Sequence, residues 1–369
     1  MPSRRRVTKR IVCAGVGVVG IEVACLLKRA LPHEHVTVIT KDKYHPLDAH
    51  LAELISGKTR MHELHVNLEQ LFAQRGIEVI VGEITHIDAH TIYVGEVHVK
   101  YDVLLLDIAR TTDPQGLPGV DRAHGVTDAR AYLELRQQVV ASLLRARASD
   151  HSQHKTFVIA GAGVTGIEVA SELRTLLDHA CEHHCLFPDE LDVVLVEHGV
   201  QPLPKRAHEK LKGVLERRGI EYYADRVQSF TQEGVVLADR TIEAGTLIWT
   251  LTRGKLTSLG VQLDDLGDPK LEETLQTSEP HIFYVLDRGA VPRASKLDAT
   301  LQLTLAQNMI AFVKGKPLRK YLPPNRPYIV TTGEGKALLV WSILSWHGRV
   351  PYAIRRWLSK QAELDARNR

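Results

Sequence analysis

The stretch GVGVVGIEVA at residues 15–24 returns as GAGVTGIEVA at residues 161–170, with eight of ten positions identical and an offset of 146 residues. Each copy follows a short apolar run and precedes an amphipathic helical run and a second apolar run. The flanking apolar runs are RIVCA (10–14), HVTVIT (35–40), KTFVIA (155–160) and LDVVLVE (191–197). Strand, glycine turn, helix and strand make up the βαβ unit that binds dinucleotides. The sequence therefore predicts an α/β protein with two Rossmann-like units.

The three glycines of each copy have separate physical roles. The first allows a tight turn, the second lets a pyrophosphate approach the backbone, and the third lets the helix pack on the strand. The helix N-terminus adds free N–H groups and a positive partial charge. The predicted nucleotide-binding glycines are Gly15, Gly17, Gly20, Gly161, Gly163 and Gly166. The alternative is a turn that is kept for packing alone.

The duplication extends beyond the loops. Residues 77–109 alternate in short β-runs and predict a small antiparallel excursion, and residues 219–250 have the same character. The stretch DPQGLPGVD at residues 113–121 is rich in Pro and Gly and predicts a crossing between domains. Whole domains, and not only the glycine turns, are therefore repeated.

The composition is that of an ordinary globular protein, with 44% hydrophobic and 25% charged residues. A net charge of +3 is small for 369 residues, and we expect no nucleic-acid partner, although basic runs at residues 3–10 and 355–356 leave open a nucleic-acid or anionic-lipid contact. Four cysteines are too few for a disulfide framework. We find no signal peptide and no apolar stretch of bilayer length, and we therefore expect a cytoplasmic protein.

Five further stretches carry a resemblance to a known group of proteins. They are YDVLLLDIARTTDPQGLPG (101–119), GAGVTGIEVASEL (161–173), TLIWT (246–250), HIFYVLD (281–287) and LAQNMIAFVKGKPLRKYLPP (305–324). In this order they resemble the two-dinucleotide-binding flavoproteins, and within them the type II NADH dehydrogenases and the apoptosis-inducing-factor-like quinone reductases. No pair of cysteines resembles the redox pair of the disulfide reductases.

The resemblance implies a glutathione-reductase-like fold: two three-layer dinucleotide-binding domains and a small C-terminal α/β segment. An FAD-binding domain is expected at residues 1–120 and 250–318, an NAD(H)-binding domain at 121–249, and an interface or membrane-contact segment at 319–369. The implied activity transfers a hydride from NADH through FAD to a quinone-type acceptor. The flavin would carry the redox chemistry, and the protein would position both rings.

The strand that follows each glycine turn ends differently in the two halves. In the second half it ends at Glu197, an acid that can accept hydrogen bonds from an adenosine ribose and repels a 2′-phosphate, which favours NADH over NADPH. In the first half it ends at Thr40, which can bond one hydroxyl but cannot make a bidentate contact. The missing contact weakens the binding of FAD by about 1–3 kcal/mol without excluding it.

Three more departures from the resembling family fall on the flavin side. One is Leu251-Thr252-Arg253, which stands where small residues usually follow the Trp249-Thr250 pair. Asp107 and Ile108 stand where the family has a small turn against the flavin nucleotide, adding charge and bulk. In the stretch HIFYVLD (281–287), the expected flavin-facing aspartate, Asp287, is present. However, Leu286 replaces a glycine of the family, and Arg288 follows. Arg288 could compensate by binding phosphate. The sequence therefore leaves open a second function: a flavin-less relative that keeps its NAD(H) site and acts as a binding or regulatory protein.

Glu168 follows the third glycine of the second copy, where the resembling dehydrogenases place a glutamate near the nicotinamide and the quinone. We therefore expect Glu168 to be catalytic or to relay protons. The alternative is an acid that stabilises the first turn of its helix through the helix dipole, as Glu22 could in the first copy.

Two further segments carry alternatives. The stretch DHACEHHC at residues 178–185 places Cys181 and Cys185 on one helix face and could reach a zinc ion, but it need only be polar, and we assign no metal site. Residues 336–361 hold three of the four tryptophans together with Arg355 and Arg356. This pattern suits peripheral contact with the cytoplasmic membrane face. Burial against the FAD domain or in a homodimer explains it equally.

Overall fold

The chain was described from a computed structural model. The described residues are 8–15, 17–46, 50–108, 117–148, 155–184, 190–197, 205–250, 261–263, 269–285, 299–323, 327–341 and 344–368.

The first repeat runs from β1 to β9. Its elements are β1 (Arg10–Ala14), α1 (Val18–Ala30), β2 (His35–Thr40), β3 (Tyr44–Pro46), α2 (Glu53–Ser56), α3 (Met61–Leu64), β4 (His65–Asn67), α4 (Leu68–Ala73), β5 (Glu78–Val81), β6 (Ile84–Ile87), β7 (Thr91–Val94), β8 (Val97–Lys100) and β9 (Val103–Leu106). Helix α1 ends just before Pro32, with Lys28 and Arg29 in its last turn, where positive charge favours the helix dipole.

The second repeat and the C-terminal elements follow along the chain. The second repeat contains a 3-10 helix (Val120–Arg122), β10 (His124–Gly125), α5 (Ala129–Ala148), β11 (Thr156–Ala160), α6 (Val164–His184), β12 (Asp192–Val196), α7 (Lys205–Glu216), β13 (Ile220–Tyr223), β14 (Ser229–Phe230), β15 (Gly234–Val236), β16 (Thr241–Glu243) and β17 (Thr246–Trp249). The remaining elements are β18 (Ile282–Tyr284), α8 (Ala299–Val313), β19 (Tyr328–Thr331), β20 (Ala337–Trp341), β21 (Leu344–Gly348) and α9 (Arg349–Asn368).

The two repeats build parallel sheets in which four of the five strands follow the same order, and only the edge strands β18 and β10 come from different points of the chain. The first sheet has the order β18-β9-β1-β2-β5, and the second has the order β10-β17-β11-β12-β13. The register also matches, because Ala14 pairs with Leu106 in the first sheet and Ala160 pairs with Trp249 in the second. The predicted duplication of whole domains is confirmed, and each glycine turn lies at the carboxyl end of its central strand.

Each repeat has three layers, as alternation along the central strands shows. In β1, Ile11 and Cys13 pack into the cluster that includes the helices, whereas Val12 packs with side chains of β6 and β7. In β11, Val158 likewise packs with Phe230 of the second small sheet. A parallel sheet must be covered on both faces. The expected architecture of helices, parallel sheet and small antiparallel sheet is therefore confirmed.

The small antiparallel sheets are shorter than the sequence predicted. Only β6, β7 and β8 form the first, and only β14, β15 and β16 form the second. The antiparallel excursion predicted for residues 77–109 is confirmed in β6–β8, but it does not include the two ends of that range, because β5 and β9 join the parallel sheet. Both strands are short and apolar, and alternation alone does not distinguish the two kinds of pairing.

The C-terminal unit is an antiparallel sheet, β19-β20-β21, with α9 packed on it. It also contacts the second repeat, because α6 packs against β19. None of the helices in the described ranges has both the length and the hydropathy needed to cross a bilayer.

Candidate functional site

The second glycine loop is open. The N–H of Gly161 donates to the carbonyl of Val196 at 2.9 Å, which fixes the loop across the carboxyl ends of β11 and β12. A Cβ on Gly166 would lie 1.7 Å from the carbonyl oxygen of Gly161, so only glycine permits this approach of helix to loop. A Cβ on Gly163, in contrast, would meet no atom of the described residues within 4 Å. The loop thus leaves room for a pyrophosphate at the N-terminus of α6.

Glu197 lies immediately beyond β12, at the same edge of the sheet. Its N–H donates to the carbonyl of Tyr223 at 2.8 Å, which extends the strand pairing by one residue. Its half-buried carboxylate accepts a hydrogen bond from the hydroxyl of Tyr222. An acid at this strand end is the group that binds an adenosine ribose in dinucleotide folds.

The first glycine loop has the same backbone frame. The N–H of Gly15 donates to the carbonyl of Ile39 at 2.9 Å, as that of Gly161 does to Val196. Gly15 has a φ of +67°, a left-handed conformation that favours glycine.

A carboxylate of the chain itself fills this first loop. The Oδ2 atom of Asp107 accepts hydrogen bonds from the N–H groups of Gly17 and Gly20, each at 2.8 Å. A Cβ on Gly17 would lie 2.9 Å from the same oxygen atom. The carboxylate therefore stands at the N-terminus of α1, where a pyrophosphate binds in this fold.

In this conformation the first loop does not fit a flavin pyrophosphate. Two of the N–H groups that would hold it, those of Gly17 and Gly20, already bind an anion. The sequence indicated that Asp107 adds negative charge, but not that its side chain reaches the loop. The signal was the position of Asp107 at the end of β9, next to β1.

Of the two other predicted flavin ligands, the structure describes only Thr40. The Thr40 hydroxyl donates to the carbonyl of Asp42 at 2.9 Å and is buried, so it serves its own loop. Asp287, with Leu286 and Arg288, lies outside the described residues.

Glu168, the predicted catalytic acid, is buried in an ion pair. Its Oε1 atom contacts the guanidinium of Arg355 in α9 and accepts the N–H of Thr331 at 3.4 Å. Burial by itself lowers the pKa of Arg355, but the Glu168 carboxylate outweighs it, and the pKa is raised. For the segment that contains Arg355, the sequence left open a solvated run, a membrane contact or burial. Burial is what the structure shows for the Arg355 side chain, which lies on the buried face of α9.

A second buried acid, Glu53 in α2, faces α9 beside this pair. Its Oε1 atom accepts the hydroxyl of Tyr352 at 2.9 Å, and its Oε2 atom accepts that of Thr59 at 2.6 Å. Burial by itself raises the pKa of Glu53. The contacts with His50 and Thr59 and the charge of Lys58 outweigh burial and lower the pKa to about 2. Glu53 is therefore an ionised carboxylate in the protein interior at neutral pH.

Glu172, one helical turn beyond Glu168, has the opposite behaviour. It accepts the hydroxyl of Ser56 at 2.5 Å, but burial outweighs this bond and raises its pKa. The three acids connect α2, α6 and α9. Neither Glu53 nor Glu172 was predicted from the sequence. The spacing of Glu168 and Glu172, four residues apart on one helix, was the signal that could have identified the second.

The cysteines show no catalytic arrangement in the described part of the chain. Cys13 is buried in β1, and burial raises the pKa of Cys25 in α1 to about 11, which keeps that thiol protonated at neutral pH. Cys181 is buried in α6. Cys185 and the side chains of His183 and His184 lie outside the description, and the described residues contain no group of three side chains able to hold a metal ion.

The sequence matches one family profile over most of its length. Residues 42–310 match the family described as pyridine nucleotide-disulphide oxidoreductase. A type II NADH:quinone oxidoreductase of Staphylococcus haemolyticus is 25% identical over 356 residues, which cover 91% of this chain and 83% of that protein. Another, from Staphylococcus epidermidis, is 23% identical over 257 residues, 66% of this chain and 64% of that protein.

Solved structures share the fold at low identity. The sulfide:quinone oxidoreductase of Aquifex aeolicus superposes with a TM-score of 0.79 and 16% identity, over 98% of this chain and 92% of that one. NDH2 of Plasmodium falciparum, solved with NADH, gives a TM-score of 0.75 and 13% identity, over 98% and 97% of the two chains. These likenesses extend over both repeats and the C-terminal unit.

Proposed function

Because the chain belongs to the pyridine nucleotide-disulphide oxidoreductase family, we propose that it is an FAD-dependent NADH oxidoreductase that reduces a quinone-type acceptor. Members of this family depend on FAD and NADH. The relatives from Staphylococcus carry the name type II NADH:quinone oxidoreductase. In the proposed reaction NADH gives up a hydride and becomes NAD⁺, and the quinone becomes the quinol by taking up the two electrons and the proton of that hydride together with one proton from water.

The observation that supports this function best is the open second glycine loop beside Glu197. The N–H groups at the start of α6 bind the pyrophosphate of NADH, and the space above Gly163 admits it. Glu197 binds the adenosine ribose, and the Tyr222 hydroxyl holds the Glu197 carboxylate in place. Its charge repels a 2′-phosphate, and NADH is therefore the preferred nucleotide.

The NADH site is tested by Glu197→Ala. We expect NADH to bind about 10-fold more weakly, since a ribose loses a hydrogen bond to a charged acceptor. Glu221→Ala is the matched control, because that acid lies in the neighbouring strand β13 and bonds Tyr223 instead. An unchanged dissociation constant in Glu197→Ala, measured by fluorescence titration, would contradict the assignment.

For Glu168 we propose a positioning role in the same reaction. It connects α6, whose N-terminus holds the nucleotide, to Arg355 of α9 and to β19. A direct catalytic role stays a prediction of the sequence, and a Glu168→Gln variant separates the two. Loss of stability together with loss of turnover supports positioning, whereas unchanged stability with a shifted pH profile of kcat supports catalysis.

The C-terminal unit supports a peripheral membrane contact. Trp341, Trp346 and Trp357 are each more than half exposed, and Leu344, which pairs with Trp341, is 65% exposed. Aromatic side chains of this kind enter the interface of a bilayer, where a quinone would be met. Binding to anionic vesicles should be lost in a Trp341→Ser, Trp346→Ser double variant and kept in Leu144→Ser, which removes an exposed apolar side chain from α5. A dimer that dissociates in the double variant would instead indicate a second subunit on this surface.

A second candidate function is favoured by one observation, the Asp107 carboxylate in the first loop. A chain that keeps this contact permanently would bind NADH without flavin and act as a binding or regulatory protein. The visible absorbance of the purified protein separates the two functions. A flavin spectrum that bleaches on anaerobic addition of NADH supports the oxidoreductase; a colourless protein that FAD cannot reconstitute excludes it.

A further inference from the structure

Asp107 and Thr250 occupy the same position in the two repeats. Each follows the strand beside the central strand, β9 in the first repeat and β17 in the second. Their backbone hydrogen bonds also match, because the Asp107 N–H donates to the carbonyl of Ala14 at 2.9 Å and the Thr250 N–H donates to that of Ala160 at 3.0 Å. The two side chains therefore start from the same place and can be compared directly.

The two side chains make different contacts. The Thr250 hydroxyl lies 3.1 Å from the carbonyl oxygen of Ala160 and 2.9 Å from that of Gly161, both acceptors in the strand and loop. It thus takes no N–H group at the start of α6. The Asp107 carboxylate, in contrast, accepts hydrogen bonds from the N–H groups of Gly17 and Gly20.

The chemistry of this contact is that of a bound phosphate. Backbone N–H groups at a helix N-terminus bind anions through hydrogen bonds and the helix dipole together. Asp107 is 4% exposed, so its bonds form out of water, where charge-assisted bonds are strong. Helix α1 has no side-chain cap of its own at Gly17, and Asp107 supplies the acceptor from a distant strand.

We infer that Asp107 is a built-in counter-ion: its carboxylate occupies the phosphate position of the first glycine loop, and a diphosphate binds there only by displacing that carboxylate. The inference rests on the proposed function only in naming FAD as that diphosphate. FAD and Asp107 compete for the same two N–H groups, and Asp107 therefore sets the FAD affinity. The second fold has threonine at this position and stays open to NADH.

Exchanging the two residues between the repeats tests the inference. Asp107→Thr frees the first loop, and we expect apoprotein carrying it to bind FAD at least about 10-fold more tightly than wild type. Thr250→Asp places a carboxylate at the second loop, and we expect at least about 10-fold weaker NADH binding. Both constants are measured on the full chain, FAD by quenching of its fluorescence and NADH by titration.

Two further variants control for folding and for charge. Asp102→Thr removes another aspartate just before β9, one that bonds Arg10 at the surface, and it should change neither affinity. Asp107→Asn keeps the size of the side chain and removes its charge, and its FAD affinity should lie between those of wild type and Asp107→Thr. Far-UV circular dichroism establishes that each variant is folded.

Inorganic pyrophosphate separates a failure of the inference from a failure of the proposed function. It should raise the melting temperature of apo Asp107→Thr and leave wild type unchanged. If Asp107→Thr binds pyrophosphate but not FAD, the counter-ion inference stands and the flavin part of the function fails. If wild type and folded Asp107→Thr or Asp107→Asn bind FAD and pyrophosphate equally, the inference is overturned, whether or not the protein is a flavoenzyme.

Discussion

The ion pair between Arg355 and Glu168 yields the sharpest stability prediction. Arg355 is 4% exposed and Glu168 is 9% exposed, so neither charge is solvated by bulk water. Replacing Arg355 by methionine keeps an apolar stem of similar length. Among the described residues, it leaves the Glu168 carboxylate with the long Thr331 N–H bond of 3.4 Å as its remaining hydrogen bond. Removing one partner of a buried pair costs about 3–5 kcal/mol. We expect Arg355→Met to lower the free energy of unfolding by about this amount.

The assay is a double-mutant cycle in urea. Glu168→Gln removes the charge on the other side, and the double variant carries neither charge. Because an uncharged pair leaves no unpaired ion, we expect the double variant to lose less than the sum of the single losses, with a coupling of about 1–3 kcal/mol. Two probes, tryptophan fluorescence and far-UV circular dichroism, test whether unfolding is two-state.

The neighbouring Arg356 supplies the control. It is exposed, one residue along α9, and Arg356→Met should change the free energy of unfolding by less than about 0.5 kcal/mol. A loss below about 1 kcal/mol in Arg355→Met, or strict additivity of the two single substitutions, would refute the argument. Arg355 would then be solvated, as its basic sequence context indicated.

Three further predictions follow from the same geometry. Gly166→Ala brings a Cβ to 1.7 Å from the Gly161 carbonyl oxygen and should both destabilise the fold and abolish NADH binding. At Gly163 a Cβ meets no described atom within 4 Å, so Gly163→Ala should weaken NADH binding about 10-fold without a loss of melting temperature. Equal melting temperatures of the two variants in thermal scans would contradict this contrast. The pKa of Glu53 is lowered from 4.5 to about 2, so its stabilisation of roughly 3 kcal/mol is present above pH 4.5 and is lost as pH falls toward 2. Wild type should therefore lose more stability than Glu53→Gln between pH 5 and pH 2, and parallel urea-unfolding curves would count against it. Burial raises the pKa of Glu172 above its ordinary value of 4.5, so ionisation of this side chain costs wild type stability as pH rises above 4.5. Glu172→Gln should therefore gain stability relative to wild type over that rise, and a constant difference would rule this out.

The sequence by itself determined the local units and their repetition. Gly15 and Gly161 have a positive φ that favours glycine, and Gly166 has no room for a Cβ beside the loop. The apolar runs beside these glycines form buried strands. Glycine chemistry and hydrophobic periodicity act over ten or twenty residues, so they can be read from one chain. The βαβ units and the acid at Glu197 were predictable for this reason, whereas the three-layer domains were implied by the resemblance to the two-dinucleotide-binding flavoproteins.

Only the tertiary structure decided which groups face one another. Asp107 lies 90 residues from Gly17 in sequence, and Arg355 lies 187 residues from Glu168. From the sequence, Asp107 was a charge near a strand end, and Arg355 was part of a basic run. Strand pairing of β9 with β1, and packing of α9 against α6, turned them into a loop counter-ion and a buried cation. Long-range electrostatic contacts depend on burial and direction, and neither property is encoded in a local pattern.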